Sequence, residues 1–572
     1  MITRHLSQRR RLRLISQLGA VGILGALAVT AVTASAATPK PVACADLLMT
    51  DITAASIALP TAGAKVTATE VIAATGTGTA AVGTYCKVSA TILPLDRSAP
   101  TIKLIVNLPT HWNGKGLMLG GGGYDGTIPA TQGNVPAGPV GVSAPLAQGY
   151  ATFSSDSGHQ ANKLGGQDGS FGTNAEAVIN FSSDALKKTH DVALQLIKLH
   201  YSVDHAQRMY FVGGSTGGRE ALAVAQRWPT DWDGVVAMYP AWNAATLDLQ
   251  FGRITRAFAA PGAYPNQAKR RALFDAAMQA CDKLDGVADG LISNVQACNA
   301  QFNPATAKLN GQALRCPNGA DTGDQCLSDA QIKALNTLNT PLTFNYPVQS
   351  GETQYPGFNV WGSDLGMVNA HALQPRITSL ALGTAPPANP MPDAAPYASV
   401  FWDQWVKHFV TRDPNFNSLS LDPQQPGKWQ QRISELTGLQ DINKTDLSVF
   451  YMRGGKLLMA HGQADVLVST RATAQYYERL QSTMGREKVD KFVRYYEIPG
   501  YGHALSTIFN AAWDSLAALD NWVDQDRAPQ NLTVTDSIGV PGRTRPLCDY
   551  PTWARYRGTG DVNLAASFEC VK

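Results

Sequence analysis

Met209-Tyr210-Phe211-Val212-Gly213-Gly214-Ser215-Thr216-Gly217-Gly218-Arg219 is the stretch on which the reading of this chain turns. Residues 209–212 are an apolar run of the kind a buried strand needs, and residues 219–228 form a helical pattern stopped by Pro229. Between them Gly213 to Gly217 matches G-x-S-x-G. That motif is a sharp strand-to-helix turn. Its central serine sits in a strained backbone conformation, and the flanking residues lack Cβ atoms because the chain passes too close to itself. The turn lifts the serine hydroxyl above the sheet edge, at a helix N-terminus whose dipole favours a developing negative charge. Ser215 is therefore the candidate nucleophile.

Strand signals recur on both sides, at 102–108, 117–119, 235–238, 456–460 and 492–498. Helical patterns fill 183–200, with Ser183 as N-cap and Leu186, Ala193, Leu196 and Ile197 on one stripe, and 506–523. Strands alternating with helices predict an α/β fold: a parallel sheet covered by helices on both faces. Residues 241–450 break this rhythm. They are rich in Pro, Gly, Asn and aromatics, hold four of the eight cysteines, and fall between two sheet strands. The expected organisation is a leader at 1–36, a first core part at 37–240, an inserted lid at 241–450 and a second core part at 451–572.

A serine nucleophile needs a base, and the base an orienting acid, in the chain order Ser, Asp/Glu, His for this motif. Asp465 follows the 456–460 strand, and His503 follows the 492–498 strand in Gly500-Tyr501-Gly502-His503. Both lie just past strand C-termini, where α/β sites form. Of the competing histidines His111, His159 and His461, none combines order with strand context. The oxyanion hole would take one N–H from Thr216 and one from the run Gly120-Gly121-Gly122-Gly123, with Gly122 and Gly123 the candidates. A phosphate loop is the competing reading of that run, but no Gly-Lys-Ser/Thr follows.

A second cluster is Cys281-Asp282-Lys283-Leu284-Asp285-Gly286-Val287-Ala288-Asp289-Gly290. Three aspartates on a glycine-broken loop offer hard oxygen ligands for Ca²⁺. The expected set is Asp282, Asp285 and Asp289 with the carbonyls of Val287 and Leu291, in a structural role. The spacing is not that of an EF-hand, and a solvated acidic turn is the alternative.

With 47 Lys+Arg against 44 Asp+Glu, the chain of 572 residues is near charge balance, which argues against nucleic acid as a partner and against a disordered polyelectrolyte. Arg4, Arg9, Arg10, Arg11 and Arg13, then an uncharged apolar stretch at 18–32, then Ala34-Ser35-Ala36, read as a secretory signal, with an N-terminal membrane anchor as the alternative. The mature chain is expected to be secreted or periplasmic and not membrane-bound. Cys44, Cys86, Cys281, Cys298, Cys316, Cys326, Cys548 and Cys570 all lie beyond the leader, and an even count in an exported chain reads as disulfides. Zinc is disfavoured because no Cys-x-x-Cys occurs. Sequons begin at Asn180, Asn443 and Asn531.

Leu108-Pro109, Trp112-Asn113-Gly114-Lys115, the four glycines, Ser215-Thr216-Gly217-Gly218-Arg219-Glu220, the Cys281-Asp282-x-x-Asp285-Gly286 loop and the tail from Arg545-Pro546-Leu547-Cys548 to Ala566-Ser567-Phe568-Glu569-Cys570 together resemble the tannase/feruloyl esterase family. The likeness spans about Cys44 to Cys570. It implies an α/β-hydrolase core with a large lid, a lid Ca²⁺, and an exported esterase acting on small aromatic carboxylic esters. Proximity and the likeness together pair 281 with 298, 316 with 326, 548 with 570 and 44 with 86. The family usually carries a cysteine before the nucleophile and another after the histidine, joined to each other; here those positions are Gly214 and Ala504. A looser site or compensating packing is expected.

For the acyl pocket, Tyr355, Phe358, Trp361, Phe401, Trp402, Trp405 and Phe409 are the candidate stacking partners. No Arg or Lys lies between Arg376 and Lys407, so the lid arginine that would pair a terephthalate carboxylate in similar hydrolases has no clear equivalent. Neutral hydroxycinnamate (feruloyl-type) esters rank first, with tannin-type or mono(hydroxyethyl) terephthalate esters as the alternative. A catalytically silent calcium-dependent binding protein on the same scaffold is the reading from another class.

Overall fold

The computed structural model describes residues 40–572, so the leader expected at 1–36 lies outside the described residues. A ten-stranded sheet organises the chain: β1 (Asp51–Ile52), β2 (Ala64–Ile72), β3 (Tyr85–Ile92), β4 (Ile102–Pro109), β5 (Lys115–Leu119), β6 (Ala151–Ser155), β7 (Arg208–Gly214), β8 (Gly234–Met238), β9 (Lys456–Gly462) and β10 (Val493–Ile498). Their spatial order is β1-β2-β3-β4-β6-β5-β7-β8-β9-β10. From β6 to β10 every pairing is parallel. From β1 to β6 every pairing is antiparallel. The sheet is thus mixed, and the expectation of a parallel sheet holds only for its C-terminal six strands.

Alternation along the parallel strands explains their near-continuous apolar sequences. Met118, Phe211, Val235, Leu457, Met459 and Tyr495 belong to one core, with Ala193, Leu196 and Ile197 of the helix Ala185–Tyr201, Leu222 and Val224 of Thr216–Arg227, and Tyr476 of Thr470–Met484. Leu117, Tyr210, Val212, Val236, Leu458 and Tyr496 belong to a second core with Leu516, Leu519 and Trp522 of the helix Ser515–Gln525. A strand buried on both faces needs an apolar residue at every position. β2 instead shows an exposed, Thr- and Ala-rich pattern, and β6 is the small-residue run ATFSS. Neither carries that signal, and neither was expected as a strand.

Two helix expectations need correction. Ser183 is not an N-cap. It lies with extended φ inside a π-helical turn, Asn180–Asp184, that runs into the helix, and its buried hydroxyl accepts a hydrogen bond from Arg227. The helix expected over 506–523 begins at Ser515, where Asp514 Oδ1 accepts from Ala517 N (3.0 Å) as the cap; Ala511–Ala512 is instead a short strand.

β8 and β9 are direct neighbours, Val235 opposite Leu457. Everything at 239–455 therefore leaves the sheet and returns between adjacent strands. Those residues contribute helices and two small two-stranded hairpins, but no strand of the main sheet. Disulfides join Cys44–Cys86, Cys281–Cys298, Cys316–Cys326 and Cys548–Cys570. Of the sequons, Asn180 is buried with Lys188 on its side-chain oxygen, and Asn443 donates to Ser350 O and Glu352; only Asn531 is exposed. Among the described residues no helix is long and apolar enough to cross a membrane.

The Cys44–Cys86 bridge closes a loop of 42 residues onto β3, remote from the Ser215 turn. Replacing both cysteines by serine is expected to cost about 2–4 kcal/mol of stability, read as a lower midpoint in thermal melting.

Candidate active site

β7 ends at Gly214, the next helix starts at Thr216, and Ser215 stands between them at φ 62°, ψ −122°. A non-glycine residue in such a region costs about 1–3 kcal/mol and persists only when its surroundings enforce it. Here Ser215 N donates to Met238 O (3.0 Å), and Ser215 O accepts from Arg219 N (3.0 Å) and Ala241 N (3.1 Å). The flanking glycines are forced by close approach. A Cβ on Gly213 would sit 2.3 Å from Gly217 O, and one on Gly217 would sit 2.8 Å from Gly121 O.

The three residues singled out from chain order meet. His503 Nε2 is 2.9 Å from Ser215 Oγ, and His503 Nδ1 is 2.7 Å from Asp465 Oδ2. Asp465 is fully buried. Its Oδ1 accepts from Leu467 N (2.8 Å) and Val468 N (2.9 Å). Burial pushes its carboxyl up, but the His503 charge and hydrogen bonds from His461 and His503 outweigh this and hold it well below the usual carboxylate range. His461 contributes more than sequence order suggested. Its Nε2 faces two acceptors, Asp465 Oδ2 (3.1 Å) and Val468 O (3.1 Å), so that nitrogen carries the proton, while Nδ1 meets the Thr473 hydroxyl at 2.8 Å. His461 is the residue that holds Asp465 from behind. His159 is elsewhere, stacked on Phe171 with ring centroids 3.7 Å apart.

Thr216 opens its helix, where an N–H has no intrahelical partner. In the glycine run, Gly121 N is taken by Glu220 Oε2 (3.0 Å) and Gly120 N by Val212 O (2.9 Å). Among the described residues nothing accepts from the Gly122 or Gly123 N–H, and both residues line the cavity above Ser215. Gly123 has φ 62°, and its carbonyl is held by Thr216 Oγ1 at 2.5 Å. Below the loop, burial pushes Glu220 up to about 7, and raises Asp125 well above the carboxylate range, where the Glu220 charge adds to it.

The missing cysteines have a physical replacement. A Cβ on Gly214 would lie 2.5 Å from Tyr239 Oη and 2.6 Å from its ring carbons. Buried Tyr239 fills the space in front of Gly214 and meets His503 edge-on, with centroids 5.0 Å apart. It also meets Tyr501 edge-on, with centroids 6.2 Å apart, and the Tyr501 hydroxyl donates to Ala504 O (2.8 Å). Tyr239 N donates to Ala460 O (2.7 Å), which fixes the ring's base on β9. The site is packed, not loose. Nothing in the sequence around Tyr239 marks it, since it reads as one more residue after a strand.

The cavity over Ser215 measures about 190 Å³. Its walls are Tyr124, Phe181, Leu247, Phe251, Tyr397 and Phe401. Of the seven aromatics expected to line it, only Phe401 does, stacked on Tyr124 at 3.7 Å. Tyr355, Phe358, Trp361, Trp402 and Trp405 are buried elsewhere instead, and Phe409 packs against Tyr124, Phe171 and Phe181. The helix 244–259, Tyr124, Phe181 and Tyr397, which the sequence did not flag, supply the rest.

The acidic loop follows the helix Gln267–Cys281. Asp282 accepts from Asp289 N (3.3 Å) and Gly290 N (3.0 Å), Asp285 from Val287 N and Ser293 N (3.3 Å each), and Asp289 pairs with Arg545. Burial raises all three carboxyls, Asp285 to about 6, and the Asp289 charge raises the other two further. Among the described residues no group of three or more metal-ligating side chains is gathered closely enough to hold an ion. The donors are of the hard oxygen type that suits Ca²⁺, and the three acids face two arginines, Arg545 on Asp289 and Arg543 beside it.

A mixed sheet with a Ser–His–Asp array at the C-terminal ends of its parallel strands defines an α/β-hydrolase. Residues 86–571 match the family described as tannase and feruloyl esterase, and the chain belongs to that family. It is similar to an uncharacterized esterase of Agrobacterium fabrum (39% identity; 92% of this chain and 93% of that one). It is also similar to the mono(2-hydroxyethyl) terephthalate hydrolase of Piscinibacter sakaiensis (31%; 86% and 85%). Feruloyl esterase B from Aspergillus oryzae shares the fold, with TM-score 0.70, 22% identity, and coverage of 89% of this chain and 97% of that one.

The Gly214–Tyr239 contact predicts a double-mutant cycle. Gly214→Ala alone is expected to lower the melting midpoint by several degrees, because overpacking costs about 1–3 kcal/mol. In a Tyr239→Ala background the same change is expected to cost far less. Additive costs would show that the two positions are not in contact.

Proposed function

We propose that this chain is a secreted serine esterase that hydrolyses aromatic carboxylic esters of the hydroxycinnamate (feruloyl) type through an acyl-enzyme. The observation that carries the reading is the Ser215–His503–Asp465 hydrogen-bond chain opening into an aromatic-walled cavity. Ser215 Oγ attacks the ester carbonyl and passes its proton to His503 Nε2. The carbonyl oxygen takes the negative charge and accepts hydrogen bonds donated by the Thr216 N–H and the Gly122 or Gly123 N–H. His503 then protonates the leaving alcohol, leaving the acyl group on Ser215. Water attacks that ester and gives its proton to His503, the aromatic acid departs, and Ser215 recovers its proton. Asp465 keeps the His503 Nδ1–H in place and offsets the imidazolium charge throughout. Four disulfides support export.

The alternative reading within the family is a tannin-type or mono(hydroxyethyl) terephthalate ester. Among the described residues no arginine or lysine lines the cavity, which favours a neutral acyl ring over one bearing a carboxylate. A silent binding protein has no use for so complete a triad.

We also propose that Ca²⁺ binds at Asp282, Asp285 and Asp289 with the Val287 and Leu291 carbonyls. The support is donor chemistry and the mutual repulsion of the three acids. The ion would neutralise that charge and staple the segment between Cys281 and Cys298. No step of the reaction depends on it.

Ser215→Ala is expected to abolish methyl ferulate hydrolysis to background, and Asp465→Asn to lower kcat by roughly 10⁴-fold. Steady-state kinetics on purified mature protein checks both; residual turnover by Ser215→Ala within ten-fold of wild type would sink the serine mechanism. Chelation by EDTA is expected to lower the melting midpoint, with recovery on adding CaCl₂. A melting curve indifferent to both would remove the calcium proposal and leave the esterase reading standing.

A further inference from the structure

The helix Ala244–Ala259 turns Ala244, Leu247, Asp248 and Phe251 toward the cavity over Ser215. That is the i, i+3, i+4, i+7 spacing of a single helix face. Three of the four are apolar. Asp248 is an acid on an apolar stripe, 2% exposed, and its Oδ1 has no hydrogen-bond partner. Gln440, 1% exposed, also lines the cavity and closes the helix Gln430–Gln440. Its Oε1 is taken by Trp405 Nε1 (3.3 Å), which leaves Nε2 without a partner. A buried acceptor and a buried donor thus line one small apolar cavity, both unsatisfied. Among the described residues, these two are the buried side-chain atoms without a partner that belong to residues lining this cavity, and such atoms are the ones a ligand can satisfy.

Resting on the esterase reading above, we propose that Asp248 and Gln440 form the subsite that recognises a ring hydroxyl on the acyl group, so that the enzyme selects phenolic acyl groups over unsubstituted or carboxylated ones. A phenol both donates and accepts. It donates to the free Asp248 oxygen and accepts from Gln440 Nε2, satisfying both. The cavity of about 190 Å³ is below the ~300–1,000 Å³ of drug-sized sites, so it holds one ring with a short spacer. Tyr124 and Phe401, stacked at 3.7 Å, supply a flat wall for that ring.

The charges around the subsite argue against a carboxylate substituent. Burial, with the nearby Asp441 charge, raises Asp248 well above the usual carboxylate range, and the Tyr124 hydroxyl and Arg219 offset this only in part. Arg219, the nearest cation acting on Asp248, does not line the cavity. Its guanidinium donates to Ser182 O (3.0 Å) and Phe181 O (2.9 Å) and lies over the Phe181 ring. An aromatic acid with a second carboxylate would place its charge among acids with no free cation to pair.

The test compares kcat/KM for methyl p-coumarate, methyl cinnamate and mono(2-hydroxyethyl) terephthalate on one preparation of each protein. A ratio between substrates cancels any loss of folded enzyme. Wild type is expected to favour the coumarate over the cinnamate by roughly ten-fold or more, because a site built to bond a hydroxyl rejects the analogue lacking it. Asp248→Leu and Gln440→Leu are each expected to bring that ratio to within about three-fold, while Asp248→Asn, which keeps an acceptor, retains most of it. A coumarate/cinnamate ratio near one in wild type, or a ratio unmoved in both leucine variants, overturns the proposal while Ser215-dependent turnover leaves the esterase reading intact. Preference for the terephthalate monoester overturns it too. Absence of turnover of all three by wild type overturns the esterase reading and the proposal together.

Discussion

The hydrogen bond between His503 Nδ1 and Asp465 Oδ2, at 2.7 Å inside a dry core, is the constraint around which the rest is arranged. An unpaired carboxylate there would be prohibitively costly. Two backbone N–H groups and two imidazoles prevent that, and in doing so they fix the geometry of three separate segments. The loop after β9 is wound around Asp465 by Leu467 and Val468. His461 on β9 is locked by Thr473 on the other side of its ring. His503, on the loop after β10, is left with one nitrogen free for Ser215. The parallel pairing of β8, β9 and β10 brings these loops to one edge of the sheet. The Ser–His–Asp array is a consequence of sheet order plus one buried charge.

The Ser215 turn is the complementary constraint. Its positive φ is maintained because the chain on either side has no room to relax: Gly213, Gly217 and Gly121 are backbone to backbone, and Tyr239 closes the remaining side at Gly214. A disulfide between the serine and histidine loops would hold them by a covalent bond. In this chain the Tyr239 ring packs against His503 and Tyr501, and the Tyr501 hydroxyl donates to Ala504 O, which spreads the same restraint over Tyr239, Tyr501 and Ala504. The strain at Ser215 is thereby held in a site without a redox-sensitive link.

Legibility in the sequence followed the locality of the cause. Ser215, Asp465 and His503 were readable because each sits in a short pattern, glycine-flanked or just past a strand, whose physics is contained within a few residues. The strands β4, β5, β7, β8, β9 and β10 were readable because burial on both faces writes a largely apolar run, interrupted in β4 by Lys103 and Asn107 and in β10 by Arg494 and Glu497. β2 and β6 were not, because one is largely exposed and the other is built of small residues. Ser183 looked like a helix cap because a π-helical turn ahead of it has no sequence signature. Tyr239 meets His503 and Asp248 lies by Gln440, each far along the chain, while His461 meets Asp465 four residues on at a spacing that matches no motif. The aromatic lining failed for the same reason: composition located aromatics in 239–455, but only the fold decides that Phe401 faces the cavity while Trp402 and Trp405, its near neighbours, pack inward.

The central claim is that Ser215 carries the acyl group during turnover. Rapid acid quench of the reaction with an activated ester such as p-nitrophenyl ferulate, followed by peptide mass spectrometry, tests it most directly. The account predicts a feruloyl adduct on the peptide bearing Ser215, formed within the first turnover and absent from Ser215→Ala. Steady turnover with no adduct on that peptide, or an adduct on another residue, would contradict it.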